Sequence, residues 1–261
     1  MKGKLKNKLE YPTYVFEKMN GYLGMVGVNN GELYIASKSS CDNNQSKWLR
    51  EMIETNYSEE VLKRLSAYLE ERNVTMIFEV IKPKDDPHII NYKEDNLVLL
   101  NIVYNEIEFS TVDWEEVEEK AKEFGFELPK LYTVLNSWEE FKEFYMKALD
   151  ENPLEIDGEY IEGYVLKSSN NFMVKLKLPF YNYWKEIRDS IFHGLINKEK
   201  GFRVHRYKKD SLEEALVLRG MEIVEQVLDE PFNIIKFRES AEIRKLILDL
   251  GKEAKPFYSE Q

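Results

Sequence analysis

A lysine at the end of an apolar run is the residue of this 261-residue chain best placed for covalent chemistry. Lys18 follows Val15 and Phe16, and Gly21 and Gly24 allow the backbone to turn closely around it. Such surroundings remove water from an ammonium group, which favours the neutral amine that acts as a nucleophile. A strand-end lysine that simply reaches solvent has the same pattern, so Lys18 alone leaves both interpretations open.

Four further segments carry residue types that can bind nucleotides. Lys38 ends a predicted strand, Glu79 interrupts an apolar strand, and Glu162 precedes another apolar run. Lys175 and Lys177 alternate with apolar residues, so on a strand both ammonium groups project from one face. A phosphate between them would offset their repulsion. Each of these residues, taken alone, also fits an ordinary solvated surface charge.

Composition limits the class of protein. The chain is 43% hydrophobic, which suffices for one large domain or for a medium and a small one. Its single cysteine, Cys41, excludes an internal disulfide framework and leads us to expect a cytoplasmic protein. The net charge of -11 argues against binding long duplex nucleic acid through the whole surface. No apolar run is long enough to predict a membrane span.

The first 179 residues have the pattern of an α+β domain. Asn29-Asn30-Gly31 is typical of a tight hairpin turn. We predict strands over 13–18, 23–28, 32–37, 74–81, 96–103, 160–167 and 172–178, and helices over 45–55, 59–72, 113–124 and 137–149. Because these elements lack a regular strand–helix–strand alternation, we expect mainly antiparallel sheets.

The pattern becomes helical after Pro179. We predict helices over 180–196, 211–228 and 239–250. The chain is therefore divided into a domain over 1–179 and a helical C-terminal domain over 180–261.

Together and in this order, the segments resemble the motifs of the covalent nucleotidyltransferase superfamily of ligases and capping enzymes. The resemblance is closest to the ATP-dependent RNA ligases of the phage tRNA-repair type. Lys18-Met19-Asn20-Gly21 is similar to the nucleophile motif, residues 78–80 and 97–102 to two middle motifs, residues 162–165 to the fourth, and residues 175–177 to the last. This resemblance implies an antiparallel-sheet nucleotidyltransferase domain with an ATP-grasp-like ligase fold, followed by a helical domain.

The resemblance also implies a function in RNA repair. Lys18 would take AMP from ATP, pass it to an RNA 5′-phosphate, and allow a 3′-hydroxyl to seal the strand. Lys175 and Lys177 would assist catalysis, and Glu79 and Glu162 would hold Mg²⁺ or Mn²⁺. The residues implied to contact the nucleotide are Glu17, Asn20, Gly21, Lys38, Glu79, Glu162, Lys175 and Lys177.

Two features depart from that family. Asn20 stands where most relatives carry Asp, and only 17 residues precede Lys18, whereas the relatives have a sizeable segment there that contacts the ATP phosphates. We expect those contacts to come from elsewhere in this chain, or from a partner chain.

The alternative function is a catalytically impaired protein that binds nucleotide or RNA. A third is a DNA ligase or a capping guanylyltransferase.

A basic segment between the predicted helices is the candidate RNA-binding surface. Its basic residues are Lys198, Lys200, Arg203, Arg206, Lys208 and Lys209, together with His205, and Phe202 and Tyr207 lie among them. Basic side chains with interleaved aromatic residues suit phosphate contact and base stacking. A solvated loop between two helices has the same composition. The three histidines are too scattered for a metal site and are interpreted as structural.

Overall fold

The computed structural model describes residues 5–90, 92–150, 155–156, 159–227, 240–243, 245–247 and 249–250. The strands are β1 (Thr13–Glu17), β2 (Tyr22–Asn29), β3 (Glu32–Ser37), β4 (Val74–Ile81), β5 (Asn96–Tyr104), β6 (Leu131–Leu135), β7 (Glu155–Ile156), β8 (Glu159–Tyr160), β9 (Gly163–Ser168) and β10 (Met173–Lys177). The helices are α1 (Asn44–Asn56), α2 (Glu59–Arg72), α3 (Trp114–Phe124), α4 (Trp138–Asp150), α5 (Pro179–Glu199) and α6 (Leu212–Val227).

Two four-stranded sheets position the candidate site. One has the order β10-β9-β1-β6 and the other the order β3-β2-β4-β5. Strand β1 pairs antiparallel with β6 and β9, and β2 pairs antiparallel with β3 and β4. The predicted α+β class with mainly antiparallel sheets is therefore confirmed.

Local sequence explains the elements whose bounds were predicted well. Asn30 and Gly31 adopt φ values of 53° and 78°, the left-handed conformation that a tight hairpin turn requires. The Ser58 side chain accepts a hydrogen bond from the Val61 N–H at the start of α2. Asn73 ends α2 in the left-handed conformation. Such caps let the local sequence determine where the helix begins and ends.

The structure departs from the predicted strands at two places. Strand β6, which pairs with β1 and is an edge strand of that sheet, was not predicted. The strand predicted over 160–167 is interrupted, because β8 ends at Tyr160 and β9 begins at Gly163. Gly163 has a φ of 151°, a conformation that residues with a side chain rarely adopt. This interruption places Glu162 outside a regular strand.

The chain forms two compact units. The first contains residues 1–83, 92–143 and 164–176, and the second contains 84–91, 144–163 and 177–261. Leu49, Leu65 and Phe78 are fully buried in the core of the first unit, where α1 and α2 cover the sheet that contains β4. The predicted division between residues 179 and 180 stays a prediction.

The second unit has a helical core of its own. Trp184 on α5 and Val217 on α6 are buried in it. The predicted third helix starts at residue 239, which lies outside the described residues. Residues 241–243, 245–247 and 249–250 are helical, and Ile247 is buried in the same core. Within the described residues, no helix has the length and apolar character needed to cross a membrane.

Candidate active site

Lys18 lies at the first residue after β1. Val15 and Phe16 are buried and anchor the strand that leads to it. The Lys18 side chain is half-buried, and its Nζ donates a hydrogen bond to the Met19 carbonyl oxygen at 3.1 Å. The amine is therefore held beside the turn that follows the strand.

The turn after Lys18 is fixed by two hydrogen bonds and one close backbone approach. The Asn20 N–H donates to the Tyr92 hydroxyl at 3.0 Å, and the Gly21 N–H donates to Glu79 Oε1 at 2.7 Å. A Cβ on Gly21 would lie 2.2 Å from the Val80 carbonyl oxygen. Only glycine leaves room for that contact, so Gly21 lets the turn pack against β4.

The predicted nucleotide contacts Glu79 and Lys38 lie at the same end of β2. Leu23, near the start of β2, pairs with Glu79 on β4. On the other side of β2, Gly24 pairs with Ser37, and the exposed Lys38 follows directly. The fold therefore brings the nucleophile turn, a carboxylate and a cation to the same end of the neighbouring strands β3, β2 and β4.

Glu162 and Lys177 form an ion pair in the second unit, in which the carboxylate is buried and the lysine is partly exposed. Lys177 Nζ lies 2.6 Å from Glu162 Oε1, and the Glu162 side chain is only 2% exposed. The Lys177 amine also lies over the Tyr181 ring, 4.8 Å from its centroid, and the Leu178 N–H donates to the Glu162 carbonyl oxygen. The counter-ion of Lys177 is thus a carboxylate of the chain itself.

Lys175 and Glu17 belong to the first sheet, where β9 lies between their strands β10 and β1. Lys175 is exposed on β10, and the next residue, Leu176, is buried, in agreement with the predicted alternation. Glu17 is half-buried and pairs in register with Tyr164, two residues after Glu162 in the sequence. Burial and the nearby Tyr132 and Glu17 raise the pKa of Tyr164.

The two predicted metal ligands offer suitable donors. Carboxylate oxygens are the protein ligands that Mg²⁺ and Mn²⁺ prefer. Among the described residues, no group of three or more His, Cys, Asp or Glu side chains is arranged to hold a metal ion. A metal held by Glu79 or Glu162 would therefore take its other ligands from phosphate oxygens and water, as Mg²⁺ often does.

The predicted RNA-binding residues lie at the end of α5 and in the loop before α6. Those that are exposed are Lys198, Lys200, Arg203, Arg206, Lys208 and Lys209. Lys198 pairs with Glu225 on α6, with its Nζ 2.7 Å from Oε1. Phe202 is 65% exposed in the same loop. The loop therefore presents cations and one aromatic ring to solvent.

Tyr207 and His205 do not join that surface. Tyr207 packs against the helical core, and its hydroxyl lies 3.0 Å from Ser190 Oγ. His205 Nε2 lies 3.1 Å from Glu214 Oε1, which agrees with a structural role. Phe202 is thus the aromatic side chain of this loop that is placed for stacking.

Three residues beside these sites were missed by the sequence analysis. Tyr92 and Tyr181 are contributed by positions with no motif around them. Lys167, at the end of the apolar run in β9, donates a hydrogen bond to the Leu100 carbonyl oxygen at 2.6 Å. A lysine that ends an apolar run is the same signal that singled out Lys18, and it could have identified Lys167.

The two antiparallel sheets and their helices fit the α+β nucleotidyltransferase fold that is found in ligases, with Lys18 at the turn after β1. A family model described as RNA ligase matches residues 1–181, so the chain belongs to the RNA ligase family. The chain is 29% identical to a tRNA ligase from Candida albicans over 198 residues, which is 68% of this chain and 23% of that protein. It therefore spans about a quarter of the length of that relative.

Solved structures share the fold at low identity. A protein from Aquifex aeolicus assigned as an ATP-dependent DNA ligase is 17% identical, with a TM-score of 0.53 over 97% of this chain and 60% of that chain. A variant of the Naegleria gruberi RNA ligase, solved with ATP and Mn, is 14% identical, with a TM-score of 0.52 over 70% of this chain and 54% of that chain. These likenesses concern the fold alone.

Proposed function

We propose that this chain is an ATP-dependent RNA ligase that works through a lysyl-AMP intermediate. Membership of the RNA ligase family over residues 1–181 supports this function. The observation that carries it is the turn after β1, where the Gly21 N–H binds the Glu79 carboxylate and the half-buried Lys18 amine lies beside the turn. That arrangement offers an anchored nucleophile at a polar strand end.

In the first step the Lys18 Nζ attacks the α-phosphate of ATP. A nitrogen–phosphorus bond forms, the bond from the α-phosphorus to the bridging oxygen breaks, and pyrophosphate leaves. The amine gives up its proton to solvent. Lys38, Lys175 and Lys177 supply positive charge that offsets the growing negative charge on the phosphate oxygens. Mg²⁺ or Mn²⁺ held by Glu79 or Glu162 would add Lewis-acid stabilisation of the same charge.

In the second and third steps AMP moves to RNA. The RNA 5′-phosphate displaces Lys18 from the adenylyl phosphorus, which restores the amine and leaves an adenylylated RNA end. A 3′-hydroxyl then attacks the 5′-phosphorus of that end, and AMP departs as the phosphodiester forms. Glu17, Asn20 and Gly21 are assigned to positioning the nucleotide around Lys18.

The RNA ligase assignment is tested with α-labelled ATP and Mg²⁺. Wild-type protein should retain the label after denaturation, and Lys18→Ala should retain none, a loss of at least about 1000-fold. Lys63→Ala, at an exposed lysine of α2, is the matched control and should label as the wild type does. Wild-type protein that binds ATP tightly without covalent label would contradict the assignment and favour a binding protein.

We further propose that the basic loop binds the RNA backbone. The triple variant Arg203→Glu, Arg206→Glu and Lys208→Glu should weaken RNA affinity and flatten its dependence on salt by about 0.7 per lost phosphate contact in a log–log plot. Adenylylation of Lys18 should be unchanged, because the three residues belong to the loop alone. The control Lys63→Glu with Lys122→Glu reverses two exposed charges on α2 and α3. Equal loss of affinity in both variants would remove the loop from the account.

A further inference from the structure

A cavity of about 200 Å³ lies beside β1 and β9 in the first unit. Its inner wall includes the aromatic residues Tyr14, Phe16 and Trp114, and Lys167 also lines it. The exposed residues Asp113 and Ser169 belong to the same lining, so the cavity is open to solvent. Asn101, from the 97–102 segment, also lines the cavity, whereas Lys18 and Glu79 are not part of its lining.

The Lys167 amine is surrounded by rings rather than by carboxylates. Its Nζ lies 4.1 Å from the Trp114 ring centroid and 5.2 Å from the Phe16 ring centroid. This Nζ donates a hydrogen bond to the Leu100 carbonyl oxygen at 2.6 Å. In the described part of the chain, no carboxylate forms an ion pair with this nitrogen. The positive charge is therefore poorly compensated.

Burial without a counter-ion favours the neutral amine of Lys167. It lowers the pKa of Lys167 to about 7, well below the usual value for lysine. A sizeable fraction of the molecules then carries an uncharged amine at neutral pH. An uncharged amine is the form that attacks carbonyl carbon.

We propose that Lys167 is a covalent capture site for a small aldehyde that enters this cavity. The Nζ lone pair forms a bond to the carbonyl carbon, the carbonyl π electrons move to the oxygen, and one nitrogen proton passes to that oxygen. The resulting carbinolamine loses its hydroxyl group and one nitrogen proton as water and becomes an imine. No oxidant or reductant is required.

The surroundings of Lys167 suit an imine better than other adducts. A protonated imine keeps one N–H that can donate to the Leu100 carbonyl, and it keeps a positive charge over Trp114. A carbamate formed from carbon dioxide would instead place a negative charge beside that carbonyl oxygen and the ring faces. Asp113 and Glu115, which also line the cavity, would oppose the same negative charge. The geometry therefore favours aldehydes over carbon dioxide.

The proposal is tested by reductive trapping. Wild-type protein is incubated with limiting propionaldehyde and cyanoborohydride at pH 7, and the modified lysines are mapped by peptide mass spectrometry. Lys167 should be modified at least about tenfold faster than the exposed Lys122, because a large fraction of the Lys167 amine is neutral at pH 7. The rate at Lys167 should level off above about pH 8.

Lys167→Met should remove this fast modification, and Lys122→Met should leave it in place. Because the map of the wild-type protein already compares the two lysines, the test does not depend on the folding of either variant. Modification of Lys167 no faster than Lys122, or a rate at Lys167 that still rises at pH 9, would overturn the proposal. Labelling of Lys18 by ATP is measured separately, so failure of one proposal is distinguishable from failure of the other.

Discussion

Lys18 and Lys167 lie at opposite ends of the paired strands β1 and β9, and their surroundings differ. Lys18 follows Glu17, which pairs with Tyr164 at the start of β9, whereas Lys167 pairs with Tyr14 near the start of β1. The first amine donates to the Met19 carbonyl oxygen, and the second lies over the rings of Phe16 and Trp114. Burial lowers the pKa of Lys167 and so marks its amine as desolvated. The turn that binds Glu79 marks Lys18 as the amine placed for a nucleotide.

Gly21→Ala should distort the turn that holds Lys18 and leave the surroundings of Lys167 unchanged. The added Cβ would lie 2.2 Å from the Val80 carbonyl oxygen, and backbone cannot yield as a side chain can. We expect unfolding to become easier by about 3 kcal/mol and adenylylation to fall by about 100-fold, because the nucleophile turn is displaced. Urea denaturation and the rate of covalent AMP labelling measure the two effects.

The control for that variant is Gly27→Ala on β2, the strand that follows the turn. There the nearest atom to a new Cβ is the Thr75 Oγ1 side-chain atom at 3.2 Å, which can move. Reductive modification of Lys167 should stay fast in Gly21→Ala if its effect is confined to the turn. Equal loss of adenylylation in both glycine variants would show that the close approach at Gly21 is not the cause.

Lys177 extends the comparison to a lysine that faces a carboxylate. Lys177→Met would leave the Glu162 carboxylate buried without its cation, at a cost of about 2 to 3 kcal/mol in the free energy of unfolding. This lies below the value for a fully buried pair, because the Lys177 side chain is 31% exposed.

The exposed Lys175, on the same strand, is the matched control. Lys175→Met should change the free energy of unfolding by less than about 0.5 kcal/mol. Adding Glu162→Gln to Lys177→Met should recover part of the lost stability. A Lys177→Met protein as stable as the wild type would show that the ion pair does not support the fold.

Lys167 gives the smallest effect, which appears as a dependence of stability on pH. Its pKa is about 7 in the folded protein and near the usual lysine value in the unfolded chain. Between these values the unfolded chain binds more protons, so the free energy of unfolding should rise with pH. The expected gain of wild type over Lys167→Met is about 2 kcal/mol between pH 7 and pH 9. Urea denaturation at both pH values measures it, and parallel pH curves for the two proteins would contradict it.

Local patterns predicted most of the helices and strands. The bounds of α2 and the turn at Asn30 and Gly31 depend on residues next to one another, and both were predicted and are confirmed. Strand β6 was missed because its support is the distant strand β1, which no local pattern reveals. The break at Gly163 was missed because glycine in an apolar run also fits a continuous strand.

The sequence predicted which residues belong to the candidate site, but it did not predict which of them contact one another. The motif around Lys18 indicated which side chains matter, yet the Gly21 to Glu79 hydrogen bond joins residues 58 positions apart. The rings around Lys167 come from β1 and from the start of α3, so no single segment indicates that its amine is buried. Long-range packing decides which lysine loses solvent, and a sequence pattern alone does not contain that information.

The most direct measurement is the location of AMP on the protein after exposure to ATP and Mg²⁺. Peptide mass spectrometry near neutral pH, which preserves the phosphoramidate, should find a single adenylyl group on Lys18 and none on Lys167. An adenylyl group on any other lysine, or an unmodified wild-type chain under conditions where ATP binds, would contradict the account.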